Sequence, residues 1–442
     1  MKHTLKIANI ALILFSSVAL ATDPFDELDA EMDVYESQRA TSEETKSEFE
    51  QYLKTQKSEY QIWQEQYLKE FDQFQQLVVN KWGKTEPIKA QYDVEFNANK
   101  EVKSVIDYDA GEVKVELIVD KKLSPAEAEI AVKEQFEKLL TDKKSNIGKV
   151  FHDIEVVDKG EVTLSNVEFS EGNKQHSKDI IIKQTQSQAQ EIDKKTDRAL
   201  LTDSSLTEEE ATLLAIEQKT ALLKNSQARL LNSEKGYQAA QNNASDETKI
   251  VTYKVKLPNN SLQNRARLYV PFAEKESALN NIPAPLIMAI MHSESAFNPK
   301  AKSAVPAYGL MQIVPRTAGH DVNKLVRNID KPMQVSDLYV PEINVETGSA
   351  YLNILDKRYL KAIKNDQSRL YCTIASYNTG AGNVARVFNK NGSRNINKAA
   401  AVINQLTPEQ VYQQLMLKLP YDETKHYLER VYSRIDLYQT KI

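Results

Sequence analysis

The stretch from Leu286 to Thr317 reads LIMAIMHSESAFNPKAKSAVPAYGLMQIVPRT. It opens as an apolar helix and delivers a single acid, Glu294, at the end of that helix. Leu286, Ile287, Ile290 and Met291 precede Glu294 by eight, seven, four and three residues, a spacing that puts all five on one helical face. A carboxyl on such a face is costly to ionise, because desolvation raises its pKa. A carboxyl that keeps its proton near neutral pH is what a general acid needs. The same stretch also fits a helix-end glutamate that curls out into water, and taken by itself it favours that plainer reading.

The chain around this stretch has 442 residues, room for two or three domains and at least one sizeable core. Its net charge of -5, with 27% charged residues, carries no basic field for nucleic acid. Met1 to Ala21 reads as a signal peptide, with Lys2 and Lys6 ahead of an apolar run and Ala19-Leu20-Ala21 as a small-x-small cleavage site. No cysteine stands near that site, so the expectation is a soluble periplasmic protein without a lipid anchor. The single cysteine, Cys372, sits in an apolar run and has no internal partner, as a buried inert thiol does.

Residues 22 to about 40 read as an acidic lead-in, and 42–82 as a long helix. Phe49, Tyr52, Tyr60, Trp63, Tyr67, Phe71 and Phe74 form its aromatic stripe, and Gly83 stops it. Beyond Pro87 the period changes to two: Tyr92, Val94 and Phe96 alternate, then Val113, Val115, Leu117 and Val119, with Asp109-Ala110-Gly111 as a hairpin turn. Ser124-Pro125 opens a helix, and strand-like runs follow at 162–169, 180–183 and 250–257. Thr207 and Glu210 form a capping box for a further helix. The fold expected for 22–257 is an α+β domain, containing no nucleophile motif or phosphate loop. Six scattered histidines make a zinc site improbable, and no cofactor is implied.

Pro258-Asn259-Asn260-Ser261 marks a turn and a domain boundary. From there to residue 442 helical runs dominate, at 262–279, 285–294, 345–364, 368–378, 384–388, 407–419 and 423–440. A compact domain of short helices around a glutamate is the lysozyme type of architecture.

Three further groups carry possible chemistry. In Gly309-Leu310-Met311-Gln312-Ile313-Val314-Pro315 the one polar side chain is Gln312, whose amide suits a sugar hydroxyl or N-acetyl group. In Ala375-Ser376-Tyr377-Asn378-Thr379-Gly380-Ala381-Gly382, Tyr377 shares a face with Ile374 and Leu370, and Asn378 and Gly380 break the helix. In the run from Glu423 to Val431, Tyr427 lies on the apolar stripe. Each is weak alone. In order they read E-S-x-F-N-P, K-A-K-S, G-L-M-Q-x-x-P, Y-N-x-G-x-G-x-V and E-T-x-x-Y-x-x-x-V over about 290–431. That series resembles the catalytic domain of the lytic transglycosylase family. Lys81-Trp82-Gly83-Lys84 at the end of a long helix, followed by strands, resembles the N-terminal region of a membrane-bound branch of the family.

The resemblance implies a lyase that cleaves peptidoglycan between N-acetylmuramic acid and N-acetylglucosamine and leaves a 1,6-anhydromuramic end. It makes Glu294 the acid, then the base toward the sugar's own C6 hydroxyl. It places Ser303, Gln312, Tyr377, Asn378 and Tyr427 at the acid or the substrate, and Met311 as an apolar platform under a sugar ring. Peptidoglycan glycan strands are the partner implied, with peripheral association to the outer membrane or to cell-wall proteins beside it, and no metal. No Asp or Glu occurs between Glu294 and Asp321, which suits an attacking hydroxyl already positioned on the substrate. Asp321, Asp330 and Asp337 could fold back, so a muramidase using water stays open, as does a cell-wall binding protein without activity. Pro306-Ala307-Tyr308 departs from the small residue or glycine that many relatives carry before G-L-M-Q.

Overall fold

The computed structural model describes residues 59–86, 89–151, 160–202, 205–303 and 305–439. The signal peptide, the acidic lead-in and the 42–58 part of the first helix lie outside them. The described part of that helix is α1, Glu59–Trp82. It buries Leu68, Phe71, Val78, Val79 and Trp82, while Leu77 stays exposed. Gly83 follows with φ 68°, a left-handed stop that glycine adopts without a Cβ penalty.

Five strands come next: β1 Tyr92–Phe96, β2 Val102–Asp107, β3 Glu112–Asp120, β4 Glu161–Asn166 and β5 Thr248–Lys256. They form one antiparallel sheet in the order β1-β2-β3-β5-β4. The β2–β3 turn is set by Asp107, whose carboxylate accepts from the backbone N–H groups of Asp109 and Ala110 at 3.1 and 2.9 Å. The alternation read in the sequence is the alternation of the two sheet faces. Val113, Val115, Val251, Tyr253 and Val255 pack against Ala128, Val132 and Phe136 of α2, Pro125–Thr141. Ile118 and Ile250 point the other way, to Val78 and Trp82 of α1. Both faces are thereby covered. The Ser124 capping box that starts α2 is formed in both directions. A short helix, α3, spans Asn146–Phe151.

Two long helices carry the chain between β4 and β5: α4, Glu171–Thr202, and α5, Glu208–Asn242. The run 180–183, expected as strand, lies inside α4. Three successive isoleucines carry β propensity, but Gln, Lys and Glu around them favour helix, and Ile180, Ile181 and Ile182 are all buried within it. Arg229 of α5 ties α1 to α4, donating to Asp72 at 2.7 and 2.8 Å and to Gln184 at 2.6 Å. The Thr207–Glu210 capping box is formed.

The rest is helical, as the sequence indicates: α6 Ser261–Asn280, α7 Ala284–Ser295, α8 Ala318–Leu325, α9 Val335–Leu338, α10 Pro341–Ile354, α11 Asp366–Thr379, α12 Ala381–Phe388, α13 Ile396–Ile403, α14 Pro408–Lys418 and α15 Asp422–Gln439. The single helix expected over 345–364 ends early, because α10 passes into a π-turn at Leu355–Tyr359. Outside the helices only two isolated bridges occur among the described residues here, Lys302 to Tyr308 and Tyr308 to Ile313. No described helix is long and apolar enough to cross a membrane.

The described residues gather into two compact units. One holds 190–220 and 354–429, the other 59–189, 221–353 and 430–439.

Candidate active site

Glu294 is the penultimate residue of α7 and is half-buried. Leu286, Ile287, Ile290 and Met291 are buried as their spacing predicts, but so are Met288, Ala289, His292 and Ser293. The helix is therefore buried on every side, and Glu294 is set apart by its place at the C-terminus. The negative end of the helix dipole disfavours a carboxylate there. Directly after it, Ala296 and Phe297 have φ 48° and 63°. Two successive left-handed residues other than glycine are strained, and here packing holds them. Phe297 is buried, with ring centroids 5.6 Å from His292 and 6.3 Å from Tyr269. Burial, aided by Arg434 and Arg265, pushes the His292 imidazole down to about 3, so it is neutral, and its Nδ1 lies 3.0 Å from the Tyr438 hydroxyl.

The helix end is joined to the segment 309–315. Ser295 Oγ donates to the Leu310 carbonyl at 2.8 Å and lies 3.1 Å from that of Met291. The segment folds as a tight turn in which Tyr308 and Ile313 exchange backbone hydrogen bonds at 3.1 and 3.0 Å. Gln312 sits at its tip with φ 48°. The Gln312 amide donates to the carbonyls of Gly309 at 2.9 Å and Ala301 at 3.3 Å, which leaves its Oε1 buried without a hydrogen-bond partner. The amide therefore braces its own turn and keeps an acceptor in reserve. Ser303 is also turned inward: its Oγ accepts from Ala307 N–H at 3.1 Å and donates to the Val305 carbonyl. Met311 is wholly buried and lies against Gly348, where an added Cβ would come within 2.4 Å of its sulfur. The platform expected under a sugar ring is thus packing beneath the turn.

Asn344 holds the turn from below, and no motif contains it. It accepts from Met311 N–H at 2.8 Å and donates to the carbonyls of Tyr308 and Leu338, each at 2.8 Å. A side-chain amide carries two N–H donors and an acceptor oxygen, which suits these three bonds. A buried asparagine beside Val345 was the one sequence signal available, and it does not separate this role from ordinary core satisfaction. Gly309 has φ 75°, and a Cβ there would sit 2.3 Å from the Leu338 carbonyl and 2.4 Å from Asn344 Nδ2. Gly309→Ala is accordingly expected to lower stability by about 1–3 kcal/mol, read as a fall in the midpoint of chemical unfolding.

Tyr377, Asn378 and Tyr427 belong to the other unit. Tyr377 and Tyr427 are buried, on α11 and α15. The last two motifs meet there, because Thr424 Oγ1 donates to Asn378 Oδ1 at 2.7 Å. Gly380 and Gly382 of Y-N-x-G-x-G lie against Asp197 of α4. An added Cβ at Gly382 would fall 2.2 Å from one Asp197 oxygen, and Gly382 N–H donates to the other at 2.8 Å. The glycines thus admit a carboxylate that sequence reading missed. Cys372 is buried in α11, and burial pushes its thiol up to about 12.

Of the acids that could fold back toward Glu294, Asp330 is engaged elsewhere, 2.7 Å from His320 and 3.1 Å from Lys324. Among the described residues no group of three or more His, Cys, Asp or Glu is placed to hold a metal ion.

Residues 271–400 match the transglycosylase SLT domain profile, so the resemblance read from the motifs stands for this part of the chain. A membrane-bound lytic murein transglycosylase C of Serratia proteamaculans is 44% identical over 182 residues, which is 41% of this chain and 49% of the relative. The protein of the same name from Yersinia pestis is 45% identical over 179 residues, 40% of this chain and 49% of the relative. The match thus spans about half the length of these curated relatives. Among solved structures, the 70 kDa soluble lytic transglycosylase of Escherichia coli aligns with a TM-score of 0.30 and 19% identity, covering 61% of this chain and 43% of that one. A likeness at that level carries no argument about the fold.

These relatives overturn the expectation of a soluble periplasmic protein without an anchor, since their names call them membrane-bound. The expectation rested on one missing cysteine. That residue serves a single chemistry of attachment, and proteins are held at membranes in several other ways.

Proposed function

We propose that this protein, which carries a transglycosylase SLT domain, is a lytic murein transglycosylase acting on peptidoglycan. It cleaves the β-1,4 bond between N-acetylmuramic acid and N-acetylglucosamine and closes a 1,6-anhydro ring on the muramic acid. Glu294 gives its proton to the glycosidic oxygen as the bond to the sugar's C1 breaks. The resulting carboxylate then takes the proton of the C6 hydroxyl as that oxygen closes on C1. The carboxyl ends protonated, and no water is consumed.

The observation that carries this reading is a lone half-buried acid at the end of a buried helix, followed by no carboxylate until Asp321. A hydrolase would need a second carboxylate to activate water or form a covalent intermediate. Ring closure by the substrate's own hydroxyl needs only one group that acts as acid and then as base. By their match to the family's motifs, Ser303, Gln312, Tyr377, Asn378 and Tyr427 are assigned to the acid or the substrate, and Met311 is packed under the Gln312 turn. Residues 258–442 form the catalytic domain and 22–257 the region before it. Met1–Ala21 serves as an export signal, which brings the enzyme to the cell wall.

Digestion of purified peptidoglycan followed by mass spectrometry tests the reaction type. Muropeptides lighter by one water at the muramic end are expected. Reducing ends would instead assign the protein as a muramidase, and no release of fragments would leave it as a binding protein.

A further inference from the structure

Gln91 stands just before β1, outside every motif, yet its side chain reaches the end of α7. Its amide donates to the carbonyl of Ser293 at 2.8 Å and to that of Glu294 at 2.9 Å. The last four carbonyls of an α-helix have no partner within the helix. Here all four are accounted for. His292 C=O accepts from Ala296 N–H at 3.1 Å, and Ser295 C=O accepts from Asn298 N–H at 3.0 Å. The two between them each accept from the Gln91 amide.

We propose that Gln91 is a positioning residue for Glu294. One amide fixes the peptide groups that carry the acid, just where the backbone leaves the helix for the strained pair Ala296 and Phe297. Its two donors also offset the partial negative charge of the helix end, which otherwise holds the acid's proton more tightly. The inference rests on Glu294 being the acid of the proposed reaction. It makes the strand-bearing region a contributor to catalysis through this single side chain.

Other charged groups surround this helix end. Arg265 of α6 donates to the Ala296 carbonyl at 3.3 Å, and Arg434 of α15 lies 3.3 Å from Ser293 Oγ. Asp109 of the β2–β3 turn lies 3.2 Å from Arg434 and 3.8 Å from His292. Lys300 and Lys302 follow in the next turn of chain. None of them changes in the variants below.

Three full-length variants test the proposal with a soluble muropeptide oligosaccharide as substrate: Gln91→Met, Gln91→Lys and Glu294→Gln. Gln91→Met keeps the length and removes both donors. It is expected to lower kcat by about tenfold with KM little changed, and to move the basic limb of the kcat profile up by about half a pH unit. Gln91→Lys keeps donors and adds a positive charge, so the same limb is expected to move down. Opposite shifts in the two variants are the sign of positioning; a purely structural loss would move both alike. Glu294→Gln that retains turnover would overturn the assignment of the acid itself. An inactive Glu294→Gln beside Gln91 variants with wild-type kcat, or with limbs that shift together or not at all, would overturn only the role of Gln91.

Discussion

Replacing Glu294 by glutamine is expected to lower the rate of peptidoglycan cleavage by on the order of 10² to 10⁴ while leaving binding to the insoluble wall intact. Glutamine keeps the size and the hydrogen-bonding planarity of the acid but has no acidic proton to give. In the proposed reaction the same carboxyl acts twice, so the substitution removes both the acid step and the base step. Glu294 is half-buried and stands at the C-terminal end of α7. The fold should tolerate the change, because the helix end is held through backbone carbonyls and through Ser295. Release of soluble fragments from wall sacculi and co-sedimentation with them separate turnover from binding. Unchanged lysis by a folded Glu294→Gln protein would sink the reading of this residue.

What the sequence makes legible here is whatever repeats with a local period or falls within a short motif. Val113, Val115, Val251 and Val255 announce a sheet face through spacing alone, and Ser124 announces the start of α2 through its cap. Ile180 to Ile182 misled because three β-branched residues say strand locally, while the helix around them is settled by what α4 packs against. The break of the 345–364 helix at the π-turn has no period to betray it. The supporting residues of the site were hidden for a different reason. Asn344 meets the Gln312 turn 33 residues away, and Gln91 meets Glu294 across 203. Contacts over such separations are made by the tertiary fold, and a lone polar residue in either place reads as ordinary. The glycines of Y-N-x-G-x-G could be recognised as a motif, yet their cause is a carboxylate on α4, 185 residues earlier.

That carboxylate belongs to a buried charge cluster, and Arg394→Met is expected to cost about 3–5 kcal/mol of stability. Arg394 donates to Asp193 at 2.7 Å and to Asp197 at 2.6 and 3.1 Å, and reaches the Asp193 carbonyl at 2.9 Å. Lys219 lies 3.2 Å from Asp193, and Asn383 donates to the same carboxylate at 2.9 Å. All four charged side chains are almost fully out of water. Burial alone would raise the pKa of Asp193, but Lys219 and Arg394 outweigh it and hold the carboxyl well below its usual range. Without the guanidinium, the two buried carboxylates keep only the Lys219 ammonium and the pull of Arg386, both acting on Asp193, and Asp197 beside Gly380 and Gly382 loses its main counter-charge. The sign with pH follows. In the native protein a depressed Asp193 contributes stability above its unfolded pKa and loses it as pH falls. In the variant a carboxyl whose folded pKa rises above the unfolded value contributes most at low pH and is lost as pH rises. The stability gap between the two proteins is therefore expected to be widest near neutrality and to narrow below about pH 4. Urea unfolding of both proteins across that range measures it directly. A gap that stays constant with pH would mean that Arg394 acts by packing and not by charge. Because Asp197 presses on both glycines of the Tyr377–Gly382 loop, a loosened cluster should also reach Tyr377 and Asn378, so a loss of turnover that exceeds the unfolded fraction is expected in the same variant.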